Sequence, residues 1–324
     1  MRLLVTGGLG FIGSHFVEAA SQEGHECYIV DALNYAGRTQ SLPGWSFIRA
    51  DIADLLQMRA GFERIQPDAV VHLAAESHVA RSIECRDEFL RTNVMGTYTL
   101  LEAALEYWRA AWNRPFTFLH VSTDEVYGSL GPYDKPWTEA SPYAPNNPYA
   151  ASKAASDNLV RSYHHTFGLP AVITHSSNNY GPRQHPEKLI PALCGQAMRG
   201  EALTLHGDGT NVRDWLHVED HCKGLLAALE RGQPGETYNF GGQCERTNRQ
   251  IADLVAACAS GPLARLPRIA LVENRPGNDQ RYSSDVSKAK RDLDWHPGPQ
   301  IGLRIEQTVR WYLEHPNYES EYGR

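Results

Sequence analysis

Apolar positions along the chain follow two alternating rhythms. Short continuous runs at Arg2–Thr6, Glu26–Asp31, Ser46–Ala50, Asp68–Ala75, Phe116–Val121 and Pro170–Thr174 predict strands buried on both faces of a parallel sheet. Between them apolar residues take helical spacing, first at Phe16, Val17 and Ala20, then at Leu90, Val94, Leu101, Leu105 and Trp108 in a long helix from Asp87 to Ala111. Strands alternating with helices mean βαβ units and an α/β fold with a doubly wound parallel (Rossmann) sheet. Pro182, Pro186 and Pro191 then break the pattern. We therefore expect one domain over 1–178 and a smaller C-terminal α/β domain over most of 179–324. The segment 212–242 reads as a helix and a strand returning to the first. The 324 residues suffice for about two domains.

The first strand runs straight into Gly7-x-x-Gly10-x-x-Gly13 and a helix. Glycines at this junction permit a tight turn and let the backbone approach a pyrophosphate at the helix N-terminus. Asp31 ends the second strand roughly 20 residues on, where an acid binds the ribose hydroxyls of NAD and repels the 2′-phosphate of NADP. Asp51-Ile52 should face the adenine, and the small Ala74 and Ala75 let a dinucleotide pass.

Two further stretches carry chemistry. Pro148 suits a helix start, so Tyr149 should lie in the first turn with Lys153 one turn on, on the same face. A fixed ammonium stabilises a phenolate and lowers the phenol's pKa, so the pair can take a proton from a hydroxyl while a hydride leaves the same carbon. Taken alone, the pair reads equally as an exposed face of an amphipathic helix. Asp124 and Glu125 follow Thr123 at a strand's carboxyl end, where open α/β sheets bind ligands. Adjacent acids there can serve as an acid and a base.

Composition narrows the classes. A net charge of −7 disfavours a nucleic-acid or anionic-membrane surface. Cys27, Cys85, Cys194, Cys222, Cys244 and Cys258 are scattered without metal spacing, which fits reduced thiols in a cytoplasm and no metal. No apolar run reaches the ~18 residues of a spanning helix, and the N-terminus lacks a signal-peptide layout.

The stretches TGGLGFIGSH from Thr6, AAESHVARSI from Ala74, STDEVYG from Ser122, NPYAASKAASD from Asn147, NNYGPRQHPEKLIP from Asn178, GDGTNVRDWLHVEDH from Gly207 and RPGNDQRYSSD from Arg275 span nearly the whole chain. In them the chain resembles the extended short-chain dehydrogenases/reductases and, within that superfamily, the dTDP-glucose 4,6-dehydratases. The resemblance implies an NAD-dependent lyase acting on a nucleotide sugar, dimeric through a four-helix interface. It implies NAD contacts at Gly7, Gly10, Phe11, Ile12, Gly13, Asp31, Asn34, Asp51, Ile52, Leu73, Ala74, Ala75, Ser77, Thr92, Tyr149, Lys153 and Asn179. It implies substrate contacts at Ser77, Thr123, Asn178, Lys188, Leu189, Thr204, His206, Arg213, Asn248, Arg275, Asn278 and Tyr282, with the Arg213 fork on the diphosphate. Its mechanism would have Tyr149 and Lys153 oxidise C4, Glu125 remove the C5 proton, Asp124 protonate the departing C6 hydroxyl and Thr123 bond the 4-oxygen. Ala80, His206 and Asn278 depart from the family's usual residues, the last two on the nucleotide side. A dehydratase of a UDP-sugar and a nucleotide-sugar 4-epimerase remain as alternatives, the latter disfavoured by the acid pair.

Overall fold

The computed structural model describes residues 1–34, 37, 45–110, 114–263, 267–274, 276–298 and 301–318. Strands run in order β1 (Arg2–Thr6), β2 (Glu26–Asp31), β3 (Ser46–Arg49), β4 (Ala69–His72), β5 (Thr117–Thr123), β6 (Ala171–Ser176), β7 (Asn178–Tyr180), β8 (Leu203–His206), β9 (Val212–His217), β10 (Thr237–Phe240), β11 (Glu245–Thr247) and β12 (Ile269–Val272). The helices are α1 (Phe11–Gln22), α2 (Leu55–Ile65), α3 (Val79–Glu84), α4 (Arg86–Phe89), α5 (Thr97–Ala110), α6 (Pro148–Phe167), α7 (Leu189–Met198), α8 (Val218–Arg231), α9 (Asn248–Leu263), α10 (Ser287–Leu293) and α11 (Ile301–Glu314).

Seven strands form one parallel sheet in the order β10-β6-β5-β4-β1-β2-β3. The alternation of side chains across a strand explains why its runs are apolar throughout. Leu3 and Val5 of β1 join a core layer with Phe16 of α1 and Leu225 of α8, while Leu4 between them joins the opposite layer with Phe62 of α2 and Leu101 of α5. The strand order reverses between β1 and β4, so a crevice opens beyond their carboxyl ends.

The returning segment divides at His217. β9 lies in a small sheet ordered β11-β9-β7, whereas α8 packs on α1 and β10 pairs in parallel with β6 at the edge of the large sheet. α7, α9 and α11 enclose a third core around Leu193, Ile251 and Tyr312, beside the two-stranded sheet of β8 and β12.

Two expected elements differ. β4 ends at His72 rather than Ala75: its ladder with β1 stops where β1 gives way to the Gly7 turn, and its ladder with β5 stops at His72–His120 although β5 runs on to Thr123. The long helix runs without a break from Arg86 to Ala110 but not regularly: α4 passes into a π-helical turn over Leu90–Gly96, and that into α5. Asn93 in that turn is buried and donates to Glu76 O (2.9 Å), which pins the turn beside the crevice. Leu90, expected in the core stripe, is 57% exposed.

Candidate active site

The crevice is built from glycine outward. Gly7 has φ +69°, and a Cβ there would lie 2.6 Å from Ala74 N. A Cβ on Gly13 would lie 2.1 Å from Gly7 O, so only glycine lets α1 start this close to the loop. The resulting cleft of about 500 Å³ is bordered by Asp31, Asn34, Asp51, Ile52, Ala74 and Thr92. Gly7, Gly10, Leu73 and Ala75 also border a second hollow of about 250 Å³ that reaches Phe11, Ile12, Gly13, Ser77, Thr123, Glu125, Tyr149 and Lys153. One channel thus joins the glycine loop to both chemical motifs. Asp31 accepts from Leu9 N (3.1 Å) and Leu33 N (2.9 Å), and burial raises its pKa against those bonds. It therefore caps loops as well as lining the cleft, with lone pairs left for a further donor.

Tyr149 is placed by the cap of its helix. Asn147 Oδ1 accepts from Ala150 N (2.8 Å), Pro148 opens α6, and Tyr149 falls in the first turn. Lys153 is buried one turn on, but its Nζ donates to Val121 O at 2.9 Å. The expected lowering of the Tyr149 pKa does not occur in the protein alone. Burial raises it strongly and the Glu125 and Asp124 charges add to this, while a Thr123 side-chain hydrogen bond offsets only part. Burial also brings Lys153 down to about 8.

The acid pair occupies a 3₁₀ turn, Asp124–Tyr127, begun by Thr123, whose Oγ1 accepts from Glu125 N (3.3 Å). Asp124 is buried, with Ser284 Oγ donating to it at 3.3 Å. Burial, then the Glu125 and Asp214 charges, raise its pKa well above the carboxylate range. Burial raises Glu125 as well, against Arg213 and an Asn147 Nδ2 donor 3.3 Å from Oε2. Two neighbouring carboxyls thus differ in environment, the inner one favouring its protonated form.

On the far side, Asn178, Asn179 and Lys188 line the second hollow. The buried Oδ1 of Asn178 has no hydrogen-bond partner among the described residues, while Lys188 Nζ donates to Ser77 O (2.9 Å) and the Asn179 amide donates to Ser177 O (2.9 Å). Arg213 is buried with its guanidinium 4.3 Å over the Tyr282 ring, and Nη2 donates to Asn278 Oδ1 (3.1 Å). Its neighbour Asp214 turns elsewhere, its Oδ1 accepting from Cys244 N (2.7 Å). The Tyr282 phenol lies 3.5 Å from Glu125 Oε2, which ties this group to the acid pair. Leu189 starts α7 and packs on the third core. Thr204, His206 and Asn248 are bonded within the smaller unit, to Gln196, Glu273 O and Asn211 O, and do not border either hollow. Arg275 lies outside the described residues.

A family model described as GDP-mannose 4,6 dehydratase matches residues 4–308. A dTDP-glucose 4,6-dehydratase of Xanthomonas campestris pv. campestris (strain B100) is 49% identical over 96% of this chain and 92% of its own. The dTDP-glucose 4,6-dehydratase of Streptomyces venezuelae, solved with NAD bound, superposes with a TM-score of 0.89 at 43% identity, covering 98% of each chain. The chain belongs to the dTDP-glucose 4,6-dehydratase family. The wider fold is shared: a UDP-glucose 4-epimerase of Thermus thermophilus, in complex with NAD, gives a TM-score of 0.88 at 30% identity, covering 97% of this chain and 99% of that one.

Reading the sequence missed several residues of this dehydratase site. Asn147 and Ser284, which hold Glu125 and Asp124, were not singled out. Behind Lys153, Asp157 is fully buried among Ser122, His120 and His175. The available signal was a charged residue four places after Lys153, on the same helix face, and two histidines inside apolar strand runs.

Proposed function

We propose that this chain converts dTDP-glucose to dTDP-4-keto-6-deoxyglucose, as its relatives' name describes, with NAD held in the glycine-lined channel. The observation that carries the reading is the meeting of Tyr149, Lys153 and Glu125 in one hollow continuous with that channel, with Asp124 buried directly behind Glu125. The residues fit the cofactor: glycine at Gly7 and Gly13 lets the loop and the start of α1 pack tightly on the backbone of Ala74 and Gly7, which leaves the helix N-terminus open to a pyrophosphate, and Asp31 offers acceptors to a ribose. Gly7, Gly10, Phe11, Ile12, Asn34, Asp51, Ile52 and Thr92 border its path, with Tyr149, Lys153 and Asn179 at the reactive end. Bound there, NAD supplies a hydride acceptor at C4, a hydride donor at C6 and, when oxidised, a positive ring charge that favours the phenolate.

The chain's own groups manage protons. The Tyr149 phenol oxygen takes the proton of the sugar 4-hydroxyl, with Thr123 Oγ1 bonded to the same oxygen and the Lys153 ammonium behind it. Once C4 is a ketone, the C5 proton is acidic and a Glu125 carboxylate oxygen removes it. Asp124, the more strongly raised of the pair, holds a proton and delivers it to the C6 oxygen, so water leaves. The proton on Glu125 then returns to C5. Arg213 and Lys188 take the diphosphate, a planar fork and a point charge suited to phosphate oxygens, and Asn178 presents its buried acceptor to the sugar.

We further infer a homodimer. Leu90, Met95 and Tyr98 are 57%, 52% and 41% exposed along the π-turn and α5, an apolar face that a second copy would cover. The free thiols suit a reducing cytoplasm. Sugar carrying deuterium at C4 tests the reaction: the reading requires the label at C6 of the product, and loss to solvent overturns it. Competing dTDP-glucose against UDP-glucose tests the nucleotide.

A further inference from the structure

Asp157 is the most enclosed carboxylate near the site, 0% exposed. It lies on α6 four residues after Lys153. From β5, Ser122 Oγ donates to its Oδ2 (3.0 Å), and His120 Nε2 lies 3.1 Å from its Oδ1, close but without hydrogen-bond geometry. From β6, His175 Nε2 lies 3.0 Å from Oδ2. Tyr127 and Tyr143 close the cluster through His175, at 2.7 and 3.1 Å. Other charges act from further out: Arg161 on α6, Glu139 on the loop before it and His72 on β4. Such a clasp is costly to build unless the charge it preserves has a use.

That use lies one turn back along α6. Lys153 is 3% exposed, its Nζ donates to the neutral Val121 O, and the carboxylate whose charge favours its ammonium is Asp157. A buried ammonium with no counter-charge sheds its proton. Asp124 and Glu125 do not substitute, because the charge that acts on Lys153 is that of Asp157.

We propose that Asp157 is a positioning residue for the dehydration: its clasped, ionised carboxylate keeps the Lys153 ammonium charged beside Tyr149. The histidines of the clasp hold Asp157 well below the usual carboxylate range against its burial. This inference rests on the role given to Tyr149 and Lys153 above, and its test separates the two.

The isosteric D157N variant is compared with the natural protein in two readouts. In one, lysines carry ¹³C at Cε, K153R identifies the Lys153 resonance, and its titration is followed with NAD bound. The Lys153 midpoint should move down by about one pH unit or more in D157N. In the other, the alkaline fall of kcat on dTDP-glucose should move to lower pH by the same amount, leaving KM little changed. An unmoved resonance overturns the inference even if turnover is normal. Absent turnover in the natural protein overturns the functional reading while the resonance still decides this one. If D157N does not fold, K153M/D157N decides, since removing the ammonium removes the need for its partner. Recovery of folding supports the inference, and equal failure overturns it.

Discussion

Asn147 Nδ2 lies 3.3 Å from Glu125 Oε2, and the same side chain caps α6 through Ala150 N. One amide therefore sets both where Tyr149 begins its helix and how readily Glu125 ionises.

Replacing that amide separates the two effects. N147D keeps a capping oxygen but puts a carboxylate against Glu125, raising its pKa. A base must be deprotonated to act, so the acid limb of the kcat profile should move to higher pH with little change in melting temperature. N147A should instead lower stability by about 1 kcal/mol through loss of the cap. Thermal melts and pH-rate profiles check both.

Tyr149→Phe removes the atom that receives the 4-hydroxyl proton. Turnover should fall at least ~100-fold, the scale of a lost acid-base group. NAD binding, measured by calorimetry, should persist, because the glycine turn and Asp31 are untouched. Near-normal turnover would remove Tyr149 as the base.

The acid pair acts after oxidation. D124N and E125Q should therefore reduce bound NAD on mixing with substrate, seen as nicotinamide absorbance, yet release little 4-keto-6-deoxy product. Full product rates in both variants would discard the elimination roles.

The buried histidines make the fold acid-sensitive. His120 is brought to about 4 and His221 to about 3, both chiefly by burial, against 6.5 in an unfolded chain. The folded state thus binds fewer protons than the unfolded one between those values, and stability is lost as pH falls from 6.5 toward 4. For His120 alone the loss is roughly 3 kcal/mol across that window. Calorimetric melts from pH 7 to pH 4 should show the midpoint falling, and a flat profile would contradict the assigned environments.

What the sequence disclosed was local. Gly7, Gly10 and Gly13 announce a turn because their spacing and flanking elements lie within a few residues, and Pro148 announces a helix start the same way. The strand runs disclosed the sheet because both faces of β1 and β4 are buried, so the pattern needs no knowledge of neighbours. Residues that matter through distant partners were silent. His120 and His175 sit in apolar runs and gain meaning only when β5 and β6 pair and α6 covers them. The π-turn at Leu90–Gly96 was hidden because its residues suit a regular helix, while the bonds of Asn93 in it run to Glu76 and Ser152, distant in the chain. The Tyr149 pKa was misjudged for a related reason: Lys153 was visible at four residues' distance, whereas burial and the acids brought in by the 3₁₀ turn were not.

The edge strand β10 reaches the large sheet only after the chain has passed through β7, β8 and β9. The two units are therefore stitched together rather than strung in line. A protease cut at Pro182 would leave the first fragment without Tyr238 and Phe240, both 0% exposed in its core. No single cut in that region leaves the seven-stranded sheet intact on one fragment, so the two units stand or fall together.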